Sequence, residues 1–188
     1  LDANGNPTGP ARNGRISLAA SGGNVWAVIA RPTLGNATDG QLLEIQRSTN
    51  GGQSWAALSI PGAMANVLGT GGQGQGNFSN TILAVNSQTL YVGGSSASHI
   101  WTSSNAGGTW TDISVSGTTG PYAGNHAMAA TSGSANAQLI LGGAGGVYRY
   151  SPTGSTWEDL NGTLAISLYS DIAVSPTDYN VAAAGTQG

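Results

Sequence analysis

Ser48-Thr-Asn-Gly-Gly-Gln-Ser-Trp55 is a small polar turn that ends on a tryptophan, and the chain repeats it. Ser103-Ser-Asn-Ala-Gly-Gly-Thr-Trp110 has the same form, and Ser151-Pro-Thr-Gly-Ser-Thr-Trp157 is a shorter version. Each copy follows one β-like run and leads into another, so the chain is a repeat protein and the repeat carries more about architecture than about activity.

Trp110 follows Trp55 by 55 residues and Trp157 follows Trp110 by 47. That period is too long for helical-pair or ankyrin repeats and suits a four-stranded blade. Working outward from the first turn, short apolar runs bounded by Gly, Asn and Pro predict strands at 16–20, 25–30, 42–47 and 55–59. The same order recurs at 81–85, 89–93, 99–102 and 110–115, then at 127–131, 139–142, 147–150 and 157–160. A fourth unit begins with 168–174 and 181–184. Helical periodicity is nowhere sustained. The fold class expected is all-β: a β-propeller of four-stranded antiparallel blades, with about three and a half blades over residues 1–188. The units run about 15–60, 80–116 and 126–161, with a half unit at 167–188. Propellers close with about four to eight blades, so the remaining blades are expected from the same longer chain or from another subunit. A Gly/Asn-rich adhesin built as a parallel β-helix is the alternative architecture, and the tryptophan period counts against it.

Composition narrows the partners. Only 7% of the residues are charged, against about 25% in an ordinary globular domain. The cations are five arginines, with no lysine. A net charge of -3 and the lack of any basic block give no field for a nucleic-acid backbone. No apolar run approaches the roughly 18 residues that span a bilayer. Cysteine is absent, so no disulfide or thiolate metal site is available. Low charge with abundant Gly, Ser, Thr and Asn fits an exported bacterial protein that is secreted, periplasmic or on the cell surface. The opening at Leu1 fits processing or a start inside a longer protein.

The turn pattern Ser-x-(Asp/Asn)-x-Gly-x-(Ser/Thr)-Trp resembles the Asp-box, or BNR repeat, of sialidases, sortilin-like receptors, photosystem assembly factors and xyloglucanase-like glycoside hydrolases. Two copies match in full, at Ser48, Asn50, Gly52 and Trp55 and at Ser103, Asn105, Gly107 and Trp110; the third keeps Trp157 but is one residue short and lacks the acid or amide. The amide can bond its own turn, the glycines can take positive φ, and the tryptophan can pack the turn against its blade. These residues are therefore expected to be structural.

The resemblance extends over nearly the whole chain to exported bacterial BNR and xyloglucanase-like proteins. Gly14-Arg-Ile-Ser-Leu18 is similar to their Gly-Arg-Ile-x-Leu start, and Gln75-Gly-Asn-Phe-Ser79 to a Gln-Gly-Trp-Tyr-Asp segment. Asn125-His126-Ala127, Gly145-Gly-Val-Tyr-Arg149, Leu160-Asn-Gly-Thr-Leu-Ala165 and Ala184-Gly-Thr-Gln187 resemble further segments. Ala144, Tyr122-Ala-Gly124 and Ser79 stand where such relatives carry acids or a His-Ala-Asp stretch. The emptied positions argue against inherited catalysis or metal binding.

Glycoside hydrolysis by the usual route needs two carboxylates about 5 to 9.5 Å apart across a sugar. Of the eight acids, Glu44, Asp112, Glu158 and Asp159 fall in third and outer strands, Asp178 in a turn and Asp2 in a tail. Asp39, in a long loop, and Asp171, on the innermost strand of the fourth unit, remain, and no spacing pairs them. The five arginines show no sialidase signature. Gly71-Gly-Gln-Gly-Gln-Gly76 is not a phosphate loop, because no helix with a Lys or Ser/Thr start follows. Asn36, Asn77 and Asn161 each begin a glycosylation triplet.

Strand order places a candidate binding face. If the tryptophan turns join strands three and four, the other long connections emerge on the opposite rim and bring Arg31, Asp39, Gln75, His99, Tyr122 and His126 onto or beside it. The function expected is a non-catalytic, exported interaction or scaffold module meeting protein or glycan, with no catalytic residue, cofactor or metal. The alternative is a fragment of a xyloglucanase-like glycoside hydrolase whose acids lie outside this chain.

Overall fold

A computed structural model describes residues 14–35, 37–97, 99–115, 120–164, 169–174 and 182–186. Asp2, Asn36 and Asp178 of the sequence reading lie outside them. The described chain forms three four-stranded sheets and one two-stranded sheet. All pairings are antiparallel, which sets aside the parallel β-helix. The first sheet holds β1 (Ile16–Ser21), β2 (Asn24–Ala30), β3 (Leu42–Ser48) and β4 (Ala56–Ala57). The second holds β5 (Thr81–Ala84), β6 (Leu90–Gly93), β7 (Ile100–Ser103) and β8 (Thr111–Asp112). The third holds β9 (Asn125–Ala130), β10 (Leu139–Gly143), β11 (Gly146–Ser151) and β12 (Thr156–Asp159). β13 (Tyr169–Val174) and β14 (Ala182–Thr186) begin a fourth.

Each four-stranded sheet is a meander in chain order. Local chemistry explains the turns. Gly22 and Gly23, at φ 57° and 79°, give the two-residue loop between β1 and β2 the positive dihedrals that match strand twist. The outer strands β4 and β8 are shorter than the sequence predicts, whereas β12 keeps the expected length and begins one residue earlier. Pairing nevertheless continues one residue further: Leu58, Ile113 and Leu160 donate backbone N–H to Ile45, Ile100 and Val147 at 2.8, 2.9 and 3.0 Å.

The innermost strands of successive sheets neighbour one another, β1 beside β5 and β5 beside β9. Between the sheets lie the two cores. Strand alternation divides β6 between them: Leu90 and Val92 pack toward the first sheet with Trp26, Val28 and Ile45, whereas Tyr91 packs toward the third with Leu139, Leu141 and Tyr150. Burying each such side chain stabilises the fold by roughly 1.5–3 kcal/mol.

The tryptophan turns take part in this packing. Ser48 Oγ accepts from Gly52 N–H at 2.8 Å, and Asn50 Oδ1 accepts from Ser54 N–H at 2.9 Å; Ser103 and Asn105 make the same bonds to Gly107 and Thr109 at 2.9 and 2.8 Å. Gly52 and Gly107 sit at φ 93° and 94°. Trp110 and Trp157 are buried in the inter-sheet cores rather than packing only their own sheets. Indoles also bridge sheets: Trp26 Nε1 donates to Ala106 O at 3.1 Å and Trp157 Nε1 to Ile113 O at 2.6 Å.

Two asparagines complete the inter-sheet joints. Asn80, just before β5, donates its side-chain amide to Arg15 O and Val28 O, both at 3.2 Å, in the first sheet. Asn125, at the start of β9, donates to Gly94 O at 2.9 Å and His99 O at 3.4 Å in the second. Both side chains are fully buried, so removing either amide strands carbonyls away from water. Asn80→Ala and Asn125→Ala are each expected to lower unfolding free energy by about 1–3 kcal/mol in urea titrations.

Tyr91 adds a pH dependence. Burial, and then the neighbouring Tyr150, raises its pKa above the ordinary value, partly offset by a hydrogen bond with the Thr102 side chain. The stability held by the neutral phenol is full below the unfolded-state pKa of about 10 and is lost as pH rises through the higher folded-state value. Urea midpoints measured from pH 8.5 to 11 should fall above about pH 10, with a shallower fall in Tyr91→Phe.

Candidate functional site: a neutral rim cavity

The loop between β2 and β3 is braced internally. Arg31 N–H donates to Gln41 O at 2.7 Å, and Asp39 Oδ2 accepts from the N–H groups of Leu34 and Gly35 at 2.7 and 2.6 Å. The Asp39 carboxylate thus holds its own loop. The glycine run 71–76 docks on it: Gly76 N–H donates to Gly40 O at 2.7 Å, and a Cβ on Gly74 would collide with the Asp39 carbonyl. Close backbone approach explains these glycines.

Asn77 fixes the next turn. Its Oδ1 accepts from Arg15 N–H at 3.0 Å and its Nδ2 donates to Thr33 Oγ1 at 2.6 Å, while Arg15 Nη1 donates to Phe78 O at 2.8 Å. Asn161 is similarly engaged, accepting from Val147 N–H at 2.8 Å and donating to Gly145 O at 3.0 Å. Both glycosylation-triplet asparagines in the described residues therefore have their amides in structural bonds.

Above these loops opens a cavity of about 350 Å³, lined by Gln73, Gln75, Phe78, Ser79, Ser95, Ala123, Gly124, His126 and Ala144. It joins the connections before β5 and β9 to those between β6 and β7 and between β10 and β11. Phe78 stands edge-on to His126, with ring centroids 4.7 Å apart at 75°. Phe78 and Tyr122 are 66% and 73% exposed, large for aromatic rings without a bound partner. Tyr122 rests against Gly145, whose carbonyl accepts from Tyr148 Oη at 3.0 Å. Burial, then the charge of Asp159, raises the Tyr148 pKa, so the phenol remains a neutral donor.

Of the six rim candidates, Gln75 and His126 line the cavity and Tyr122 adjoins it through Ala123. Arg31 and Asp39 lie on the β2–β3 loop and do not line it. His99 is buried below the rim, with Nδ1 3.1 Å from Ala97 O and Nε2 without a protein hydrogen-bond partner. Gln73, Phe78 and Ser95 escaped the sequence reading. Phe78 had a signal, as the single aromatic within the Gln75–Ser79 segment.

Among the described residues no acid lines the cavity. Asp112 accepts from Ser114, Asp159 from Asn161 N–H, Glu44 from Gln46, and Glu158 pairs with Arg149. Among the described residues no group of three His, Asp or Glu is placed to hold a metal, and no helix is long and apolar enough to cross a membrane. Gly74→Ala should cost about 1–3 kcal/mol by overpacking, seen as a lower thermal midpoint.

No protein-family model and no curated protein matches the chain. Among solved structures it is similar to an ancestral GH74 enzyme, at 20% identity and TM-score 0.55 over 87% of this chain and 22% of that one. It also matches YCF48 bound to D1 peptide, at 15% identity and TM-score 0.48 over 85% and 44% of the two chains. A GH74 xyloglucanase from Xanthomonas campestris matches at 15% identity and TM-score 0.36 over 90% and 34%. The chain spans less than half the length of each. Taken with the three meander sheets, the first of these similarities gives the fold: these residues form part of a β-propeller.

Proposed function

We propose that this chain is a segment of a degenerate Asp-box propeller, exported from a bacterium, that acts as a non-catalytic interaction module and binds protein or glycan through its loop rim. The observation that carries the reading is the chemistry of the rim cavity. Its polar groups are amides, hydroxyls and an imidazole, flanked by two exposed aromatic rings, with no carboxylate among its described lining residues to act as acid, base or nucleophile. Such a surface suits an uncharged ligand held by stacking and hydrogen bonds.

A second reading, favoured by the Gly145–Arg149 and Leu160–Ala165 resemblances, is a fragment of a xyloglucanase-like hydrolase with its acids in other blades. Fold does not decide between the two. The discriminating experiment uses the full-length protein, assayed for binding to xyloglucan, sialosides and a peptide array, and in parallel for hydrolysis. The module reading expects binding without release of reducing sugar, weakened about tenfold by Phe78→Ala, or roughly 1.4 kcal/mol. Sustained turnover on any of the glycans overturns it.

A further inference from the structure

We infer that Arg15, which does not line the rim cavity, is the positioning residue of its aromatic platform. From the entry to the first sheet its guanidinium holds the Phe78 ring against His126 of the third, so the cavity is formed before a ligand arrives. The inference rests on the rim reading above for what the platform receives.

Burial does not place Phe78. Its ring is 66% exposed, so close packing of the kind that fixes Trp26 or Tyr91 is not there to set its direction. What is fixed is the backbone beneath it. Gln75 N–H donates to Leu68 O and Gly76 N–H to Gly40 O, both at 2.7 Å, and Ser79 on the far side of the ring is buried. Phe78 sits between these anchors, its own N–H donating to Gln75 O at 2.8 Å. The peptide unit that follows the ring is pinned at both ends: Ser79 N–H donates to Gln75 O at 2.6 Å, and on the opposite side the Phe78 carbonyl accepts from Arg15 Nη1 at 2.8 Å. Releasing the carbonyl frees the unit to tilt, and the ring that stands 4.7 Å from the imidazole turns with it.

Arg15 meets this segment three times. Its N–H donates to Asn77 Oδ1 at 3.0 Å, its carbonyl accepts from Asn80 Nδ2 at 3.2 Å, and its guanidinium holds Phe78. The first two bonds are made by the main chain and survive a change of side chain, so the third can be removed alone. Arg15 is exposed, and among the described residues no carboxylate pairs with it, so its loss breaks no ion pair and opens no core. The planar guanidinium is ordered at less entropic cost per bond than a lysine would be. A platform ordered in advance spares the ligand that ordering on binding. Arg15 therefore acts on affinity more than on stability, from a sheet that contributes no lining residue.

The test compares Arg15→Met, which keeps the stem without a donor, and Arg15→Lys, which keeps a donor, in the full-length protein. Two readouts need no ligand. Hydrogen exchange at the Phe78 and Ser79 amides is expected to be about three- to tenfold faster in Arg15→Met. The His126 imidazole signal in histidine-labelled protein, assigned by its loss in His126→Gln, is expected to lose the ring-current displacement that Phe78 imposes. Arg15→Lys should restore part of both, and the thermal midpoint should stay at the wild-type value in each variant. An unchanged exchange rate and an unmoved imidazole signal in Arg15→Met overturn the inference. So does a fall in thermal midpoint, or a lysine variant no better than the methionine one, because either makes Arg15 merely structural. With xyloglucan, sialosides and the peptide array as probes, affinity for the one that binds should drop about three- to tenfold in Arg15→Met. If none binds the wild-type protein, the module reading fails, while exchange and the imidazole signal still decide the role of Arg15.

Discussion

Two buried amides, those of Asn80 and Asn125, do what no strand in this protein can do for itself. A four-stranded meander satisfies its own backbone laterally but leaves carbonyls at its axial end and apolar side chains on both faces. Each asparagine closes the end of the preceding sheet from the first residues of the next, so blade order in the chain becomes blade contact in space. The inter-sheet cores then bury Trp26, Val92 and Ile45 on one side of the second sheet and Tyr91, Leu139 and Leu141 on the other. Stability is a property of the joints more than of the blades.

The same joints position the rim. The loop that carries Phe78 leads directly into Asn80, and the one that carries Tyr122 leads into Asn125, so the exposed aromatics sit only a few residues from the clamps. Glycines at 40, 74 and 76 let two loops meet backbone to backbone beneath the cavity. The surface is held by rigid neighbours yet carries almost no charge.

Much of the architecture was legible because its signals are local. Strand period, glycine turns and the tryptophan spacing each depend on a few adjacent residues, and the strands begin and end within a few residues of where those signals place them. Joints are not local. A single asparagine before a strand reads as turn punctuation, and nothing within its neighbourhood says that its amide reaches back more than fifty residues to Val28. His99 is illegible for the same reason: a loop-flanking histidine reads as exposed, whereas the folded chain leaves it buried. The third tryptophan turn, one residue shorter, puts Tyr150 opposite Trp157 and into the core, a register change that counting residues signals but does not explain.

Ala106 takes the place that Gly51 holds in the first turn and keeps a left-handed backbone, φ 60° against 70°. For a residue with a side chain that conformation costs about 1–2 kcal/mol, and here it is held by the Trp26 indole and by its own N–H bond to Gln88 O at 2.8 Å. Parting the first two blades would remove the indole and let the hairpin tip relax. Loosening one joint therefore also slackens the corner beside it, so the arc should melt as a cooperative unit rather than shed its segments singly.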